Sequence, residues 1–356
     1  MPEQGAFVQR LVHDWKESGE VVRVIRPLPL GFYFQRLSAI RRQTPQISGL
    51  PRCDAKPIYW KLRGNSKSFA RAALTASRKL GTPQIYYGKF LESGGAAAAA
   101  LGLRSGKPAF ADVGESKSFR SLSGRNLRQV RDITKTLTGA VCVSERLLSE
   151  LLWLGCQRHR ILYLPNKAEK FSFYHINQEK ARRAIGYGSR REKIVCFVGH
   201  LNNRKGALRL KAALDRLSDD VVGVWLGQGP EIPRGANVLH VGSVPHNEIV
   251  LWLNACDVFV LPTLAEGWCN ALEEARACGL PIVTSDITDV RAQMEGEPTI
   301  FVDPNDVSDI ANGITKALEI PKNMQLGSHN LSANNSTRGS QILKWMRDVI
   351  KQGPAS

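Results

Sequence analysis

The chain has 356 residues, 43% of them hydrophobic and 23% charged, which is typical of a globular protein with room for two domains. No apolar run reaches the roughly 18 residues that a membrane-spanning helix requires. The net charge of +17 lies in the first half, because residues 1–180 hold 30 Lys and Arg against 13 Asp and Glu, whereas residues 181–356 hold 19 of each. This asymmetry predicts an anionic partner for the first half, either lipid headgroups or nucleic acid, unless the basic residues only solubilise the surface.

The first half alternates predicted helices and strands. Helices are predicted at GAFVQRLVHDWKES, KSFARAALTASRKLG, GGAAAAALGLRSG, GRNLRQVRDITKTL and ERLLSELLWLG. Strands are predicted at VVRVIRP, PQIYYG, PAFADVG and GAVCVS. Because strands that alternate with helices form parallel sheets, this half predicts one α/β domain over residues 1–165.

The second half shows the same alternation more clearly. Strands are predicted at KIVCFVG, VVGVWLG, NVLHVG, VFVLP and PIVTSD, and helices at ALRLKAALDRL, NEIVLWLNAC, NALEEARAC and DVSDIANGITKALE. This pattern predicts a second, doubly wound α/β domain over residues 166–341. A helix and tail over residues 342–356 follow, which we expect to pack back on the first domain.

The segment EGWCNALEEARACGLP holds three carboxylates near the start of a predicted helix. Asn270 and Glu273 have the spacing of a capping box, which gives Glu273 a structural explanation. Glu266 lies in the loop after the preceding strand, and Glu274 lies one turn into the helix. Both are therefore expected to border the crevice at the strand ends, where doubly wound sheets bind ligands.

The backbone between these two carboxylates forms a predicted anion site. Residues 267–270 open the helix, where free N–H groups and the helix dipole favour a negative charge. Carboxylates beside such a site are suited to accepting hydrogen bonds from sugar hydroxyls. A nucleotide-sugar, with a diphosphate between a ribose and a hexose, fits all of these features. The alternative is a helix cap with two surface acids.

The segment VGHLNNRKG points to the same ligand. It follows a buried strand, Gly199 allows a turn, and Arg204 and Lys205 stand at the start of the next helix. A lysine there opposes the helix dipole unless its side chain reaches an anion, although a solvated surface lysine is the alternative. The segment LGQGPEI offers only G-x-G and is interpreted as a tight turn.

In combination these segments resemble the family-4 retaining glycosyltransferases of the GT-B fold, also called glycosyl transferases group 1. The E-x7-E spacing of that family falls on Glu266 and Glu274, and FVDPND resembles the end of its conserved region. CVSERLLSELLWLG and YLPNKAEKFSF resemble its interdomain signature. The resemblance spans residues 5–319 and implies an α/β fold of two Rossmann-like doubly wound parallel-sheet domains facing a central cleft.

The resemblance also implies roles for individual residues. Glu274 would bind the ribose hydroxyls, and Glu266 would hold hydroxyls of the transferred sugar. Gly5 would lie in an N-terminal loop near the donor phosphates. The implied donor-binding set is Gly5, Gly199, Arg204, Lys205, Gly267, Trp268, Cys269, Asn270 and Glu274, with Glu266 and Lys205 as the catalytic pair. No metal and no resident cofactor is expected, because N–H groups and Lys205 would stabilise the leaving diphosphate.

The sequence departs from the family pattern at three places. His200 stands where an arginine is usual, and the segment DVGESKSF of the first domain lacks the usual histidine. The first predicted element is a helix, so we expect the first strand and much of its glycine loop to be missing. These departures keep a second hypothesis open, a non-catalytic GT-B-like binding or regulatory subunit.

The leading hypothesis is a retaining glycosyltransferase that moves a sugar from a nucleotide-sugar to a glycan or lipid-linked acceptor in cell-envelope or extracellular polysaccharide biosynthesis. The basic first half would then dock on an anionic membrane surface. Nucleic acid is not expected as a partner, because few aromatic residues in this half are placed for base stacking. Seven scattered cysteines without a C-x-x-C pair favour the reducing cytosol, so we expect a cytoplasmic protein. The basic first half would make it peripheral at the cytoplasmic face of the membrane.

Overall fold

The computed structural model describes residues 3–29, 54–59, 66–168, 172–188, 192–322 and 336–353. Contacts divide the chain into two compact units. The first, here called the four-stranded unit, comprises Phe7–Pro165 and Asn335–Ser356. The second, the six-stranded unit, comprises Met1–Ala6 and Asn166–Asn334.

The strands and helices alternate along both units. The strands are β1 (Leu28–Pro29), β2 (Ile58–Tyr59), β3 (Tyr86–Lys89), β4 (Ala109–Val113), β5 (Gly139–Cys142), β6 (Ile161–Tyr163), β7 (Lys193–Val198), β8 (Val221–Leu226), β9 (Val238–Gly242), β10 (Val258–Leu261), β11 (Ile282–Ser285) and β12 (Thr299–Val302). The α-helices are α1 (Glu3–Glu17), α2 (Ser66–Ser77), α3 (Ala96–Ser105), α4 (Gly124–Thr136), α5 (Glu145–Trp153), α6 (Gln178–Ala184), α7 (Ala207–Leu214), α8 (Ile249–Ala255), α9 (Asn270–Ala277), α10 (Thr288–Gln293), α11 (Val307–Leu318) and α12 (Arg338–Gln352).

Both main sheets are parallel. In the four-stranded unit the order is β3-β4-β5-β6, with β1 and β2 paired separately. In the six-stranded unit the order is β12-β11-β10-β7-β8-β9, so the winding direction reverses between β7 and β10. Ligands of doubly wound sheets bind outside the carboxyl ends of the strands at such a reversal. The expectation of two parallel-sheet α/β domains is confirmed.

Apolar runs explain the central strands of the six-stranded unit. A parallel strand covered by helices on both faces is buried on both sides, so it needs no polar alternation. In β7 every residue from Ile194 to Val198 is buried, and the same holds for all of β10. Trp225, Phe197 and Phe259 are the largest fully buried side chains of this core.

The C-terminal helix α12 completes the core of the four-stranded unit. Its apolar residues recur at helical spacing and pack with side chains of α1, β4 and β5, in a cluster of Ile342, Leu343, Met346, Val349, Leu11, Trp15, Phe110 and Val141. The indole Nε1 of Trp15 donates to the Gly339 carbonyl at 2.8 Å, and the Gly339 N–H donates to Asp14 Oδ2 at 2.9 Å. A Cβ on Gly339 would lie 2.4 Å from the Asp14 Cβ, so this contact requires glycine.

Two local expectations for the N-terminal region are wrong. The predicted strand VVRVIRP is reduced to an isolated bridge between Ile25 and Ala55, followed by the two-residue strand β1. Pro27 and Pro29 lack a backbone N–H, which limits a sheet ladder here. Gly5 lies inside α1 rather than in a loop, because Glu, Gln and Ala, which all favour helices, surround it in the sequence.

None of the helices in the described ranges is both long enough and apolar enough to cross a bilayer.

Candidate functional site

The loops that follow β7 and β10 are joined at the point where the six-stranded sheet reverses. The backbone N–H of Leu264 donates to the Arg204 carbonyl at 2.7 Å, and Arg209 Nη2 donates to the Pro262 carbonyl at 2.8 Å. Gly206 has φ of 83°, and a Cβ there would lie 2.3 Å from the Pro262 oxygen. Only glycine therefore lets the first loop reach the second.

This junction holds a buried carboxylate with two cations. Glu266 is 5% exposed, and its Oε1 accepts from Lys205 Nζ at 2.8 Å, Arg204 Nη1 at 3.0 Å and Thr263 Oγ1 at 2.7 Å. Lys205 is itself only 8% exposed. The cluster therefore holds two cations and one carboxylate, with Lys205 shielded from water and the Arg204 side chain 39% exposed. The cluster is suited to an anionic ligand.

The start of α9 lies beside this cluster. The Lys205 ammonium is 3.7 Å from the Cys269 Sγ, and Cys269 is the residue that precedes α9. Gln293 holds this residue on both sides, because its Oε1 accepts from the Cys269 N–H at 2.9 Å and its Nε2 donates to the Cys269 carbonyl at 2.8 Å. Sequence reasoning counted the Cys269 N–H as a phosphate donor. It is instead committed to Gln293.

The capping box predicted for Asn270 and Glu273 is absent. The helix cap is Cys269, without a side-chain cap bond, and Asn270 is the first helical residue. The Glu273 carboxylate pairs with Arg276 and accepts from Gln293 Nε2 at 3.1 Å. Because Gln293 already accepts from the N–H of the cap residue, Glu273 pairs with Arg276, one turn further along the helix. Burial raises the pKa of Glu273, and the charge of Arg276 opposes this shift.

Asn270 nevertheless has a defined partner. Its Oδ1 accepts from Asn166 Nδ2 at 3.0 Å, which ties the start of α9 to the segment that follows β6. Both residues belong to the six-stranded unit.

Glu274 lies one turn into α9 and is 9% exposed. Its Oε1 is 3.1 Å from His246 Nε2, in a short turn (His246–Glu248) that follows β9. His246 was not identified from the sequence. It stands 28 residues before Glu274, and no local pattern links the two.

The glycines of VGHLNNRKG and LGQGPEI allow two strand ends to approach closely. The Gly199 N–H donates to the Leu226 carbonyl at 2.9 Å, and a Cβ on Gly227 would lie 1.9 Å from the Gly199 oxygen. Gly227 has φ of 141°, which favours glycine independently of the space. His200 follows Gly199 directly and is half-buried.

A second group of buried charges lies at the carboxyl end of the four-stranded sheet. Asp112 at 0% exposure accepts from Lys89 Nζ at 2.8 Å and from the Tyr87 hydroxyl at 3.0 Å, and Arg338 lies 3.8 Å away. Burial alone raises the pKa of Asp112, but the Lys89 and Arg338 charges outweigh it and hold the pKa below its usual value.

In the segment DVGESKSF, the carboxylate of Glu115 stands in the region where the family that the sequence resembles has a histidine. Glu115 accepts hydrogen bonds from the N–H groups of Leu91 and Gly114. Desolvation nevertheless raises the pKa of Glu115 to about 7. Leu91 belongs to a π-helical turn (Phe90–Gly95) that begins with Phe90 at φ of 63°, a strained value for a bulky residue.

The sequence and the fold were compared with those of known proteins. Residues 192–319 match the family model described as Glycosyl transferases group 1. The chain is 23% identical over 333 residues to the putative teichuronic acid biosynthesis glycosyltransferase TuaC of Bacillus subtilis. This alignment covers 88% of this chain and 85% of that protein. The chain is 30% identical over 180 residues to the N,N'-diacetylbacillosaminyl-diphospho-undecaprenol alpha-1,3-N-acetylgalactosaminyltransferase of Campylobacter jejuni, covering 48% of each.

Solved structures resemble the chain over nearly its whole length. Sucrose-phosphate synthase from Thermosynechococcus elongatus superposes with a TM-score of 0.70 at 19% identity, over 98% of this chain and 91% of that one. Anabaena HepE in complex with UDP and glucose gives a TM-score of 0.62 at 14% identity, over 89% and 88%. These likenesses confirm the GT-B fold.

Proposed function

We propose that this chain, a GT-B glycosyltransferase whose residues 192–319 belong to the glycosyl transferases group 1 family, transfers a sugar from a nucleotide-sugar with retention of configuration. The observation that carries the proposal is the cluster at the sheet reversal, in which the buried Glu266 meets the buried Lys205 and the partly exposed Arg204. Two basic side chains converge on this one carboxylate, so the cluster is suited to an additional anion.

The donor fits the site in three parts. The diphosphate lies against Lys205, Arg204 and the start of α9, where the excess positive charge is found. The transferred sugar gives its hydroxyls to Glu266, and the ribose gives its hydroxyls to Glu274. HepE, which shares the fold, has been seen with UDP and with UDP-glucose, and this supports a nucleotide-sugar as the co-substrate here.

The chemistry requires stabilisation of the leaving group above all. The bond between the anomeric carbon and the diphosphate oxygen breaks while the acceptor oxygen bonds to the same face of the sugar. The proton of the acceptor hydroxyl passes to the departing diphosphate oxygen. Charge grows on the diphosphate during this step, so fixed cations are worth more in the transition state than in the bound substrate. Lys205 and Arg204 supply this charge in place of a metal.

The acceptor is proposed to be a glycan or lipid-linked saccharide of the cell envelope or of an extracellular polysaccharide. The names of two relatives support this class, teichuronic acid biosynthesis in one and a diphospho-undecaprenol-linked sugar in the other. We place the reaction at the cytoplasmic face of the membrane.

Transfer from a panel of nucleotide-sugars tests the proposal, with Glu274→Ala as the informative variant. Loss of hydrogen bonds to a charged acceptor is worth roughly 1.5–3 kcal/mol, so we expect donor affinity to fall by about 10- to 100-fold. Glu295→Gln, an exposed carboxylate of the same unit, is the matched control and should bind normally. Unchanged donor binding by Glu274→Ala would contradict the assignment. Tight nucleotide binding by the wild type without any turnover would favour the binding subunit instead.

A basic surface of the four-stranded unit supports membrane docking. Arg125, Arg128 and Lys135 are exposed along α4. In the same unit the guanidinium groups of Arg120 and Arg131 lie over the Trp153 ring, 5.4 Å and 5.1 Å from its centre. Arginines beside a tryptophan suit the interface of an anionic bilayer.

Sedimentation with liposomes tests the docking. Each basic residue near an anionic leaflet contributes about 1 kcal/mol, so replacing Arg125, Arg128 and Lys135 together by glutamate should weaken binding to anionic vesicles by 100-fold or more. Wild-type binding should weaken in salt and be absent with neutral vesicles. Lys316→Glu, on the exposed face of α11 in the six-stranded unit, is the control. Binding that salt leaves unchanged would contradict docking by charge.

A further inference from the structure

We propose that His246 is a positioning residue, which holds the Glu274 carboxylate in the orientation that receives the two ribose hydroxyls and so makes the donor site select ribonucleotides. This inference rests on the proposed function, because it assigns a role within the same donor site. Neither the motif spacing nor the resemblance of the sequence pointed to His246.

The hydrogen bond fixes the protonation of the ring. His246 Nε2 lies 3.1 Å from Glu274 Oε1, and an ionised carboxylate can only accept. Nε2 therefore carries a proton, whether the imidazole is neutral or charged. Glu274 is 9% exposed, so a hydrogen bond to it is shielded from competition by bulk water.

Two neighbouring residues restrain the position of the His246 imidazole ring. Phe173, which is 3% exposed, meets the imidazole edge-to-face with the ring centres 5.1 Å apart and the planes at 73°. Before His246 the chain is stiffened by Pro245 at φ of −55°. The ring therefore donates from a defined position.

The segment that carries Phe173 is anchored in turn. Asn254 of α8 accepts from the Ile176 N–H at 2.7 Å and donates to the Tyr174 carbonyl at 3.0 Å. A buried aromatic residue on an anchored segment gives the imidazole a fixed support. About half of the His246 side chain, 47%, nevertheless stays exposed, so the pair lies at the rim where a ligand arrives.

This geometry suits a vicinal diol. A carboxylate offers about four lone-pair positions, and the His246 N–H occupies one of them on Oε1. The imidazole restrains rotation of the carboxylate, so the orientation in which Glu274 meets hydroxyl donors is defined before a ligand arrives. Without the imidazole, Glu274 would have to be ordered by the ligand itself, at a cost in side-chain entropy.

The test compares two ligands across the wild type and three variants. Whichever of UDP, GDP and ADP binds the wild type most tightly is paired with its 2′,3′-dideoxy form, and dissociation constants are measured by titration calorimetry. We expect His246→Ala to weaken the ribonucleotide by about 5- to 10-fold, the worth of one hydrogen bond, and the dideoxy form by less than about 2-fold. His246→Gln, whose amide can still donate to Glu274, should recover most of the ribonucleotide affinity. His175→Ala, an exposed histidine of the anchored segment, should match the wild type for both ligands.

The outcomes separate the inference from the function on which it rests. Equal weakening of both ligands by His246→Ala, no weakening, tighter binding, or failure of His246→Gln to recover affinity would each overturn the positioning role while leaving the donor site intact. If the wild type bound no nucleoside diphosphate, the donor site and this inference would both fall.

Discussion

Replacing Glu266 with glutamine is expected to reduce transfer by about 100- to 1,000-fold, the typical cost of losing one preorganised electrostatic contact to a transition state. The amide keeps the shape of the side chain but removes the negative charge between Lys205 and Arg204. Both cations then lack their counter-charge, and the hydroxyls of the transferred sugar meet a neutral amide in place of a charged acceptor. The loss should appear in kcat/KM for the nucleotide-sugar.

Two further measurements make this result interpretable. Circular dichroism and the midpoint of thermal unfolding should show that Glu266→Gln remains folded, because Thr263 can still donate to the amide oxygen. Glu295→Gln, which removes a carboxylate from the surface of the same unit, should keep wild-type kcat/KM. Near-normal turnover by a folded Glu266→Gln variant would remove this residue from the mechanism.

Replacing Asp112 with alanine is expected to destabilise the four-stranded unit by up to about 3–5 kcal/mol, because it leaves two partly buried cations without their fully buried partner. Asp112 is fully buried against Lys89, Tyr87 and Arg338. The free energy of unfolding in urea measures this effect. Asp132→Ala, an exposed carboxylate on α4, should change stability by no more than about 0.5 kcal/mol.

The destabilisation should also depend on pH. The pKa of Asp112 in the folded chain lies below its ordinary value of 3.8, so the ionised form stabilises the fold at pH values above that value. As the pH falls through the depressed pKa, the carboxylate is protonated and this contribution is lost. The difference between wild type and Asp112→Ala should therefore be constant near neutral pH and shrink below about pH 4. A difference that persisted unchanged in acid would contradict an electrostatic origin.

The parts of the site that could be predicted from the sequence are those carried by short-range patterns. Glu266 and Glu274 share one segment, and Lys205 stands at a helix start directly after a buried strand. The strand order then brings these segments to one edge, as expected for parallel strands that reverse their winding. Their roles toward a donor stay predictions until a ligand is bound.

The parts that were missed depend on tertiary contacts. Gln293 reaches Cys269 from 24 residues away, and His246 reaches Glu274 from 28 residues away, so neither follows any local spacing. The wrong capping box has the same origin, because Gln293 satisfies the N–H that a local rule assigned to a side chain within the helix. Local preferences hold where no distant partner offers a better bond.

The docking of α12 has a consequence for the order in which the protein is made. Most of the four-stranded unit precedes the six-stranded unit in the chain, yet its core also needs Ile342, Met346 and Val349 from α12. The six-stranded unit has its core residues between Phe173 and Ala317, so it can close while the C-terminus is still inside the ribosome. Domains generally fold in the order of synthesis. Here the four-stranded unit can complete its core only after the whole six-stranded unit, through Asn334, has been translated.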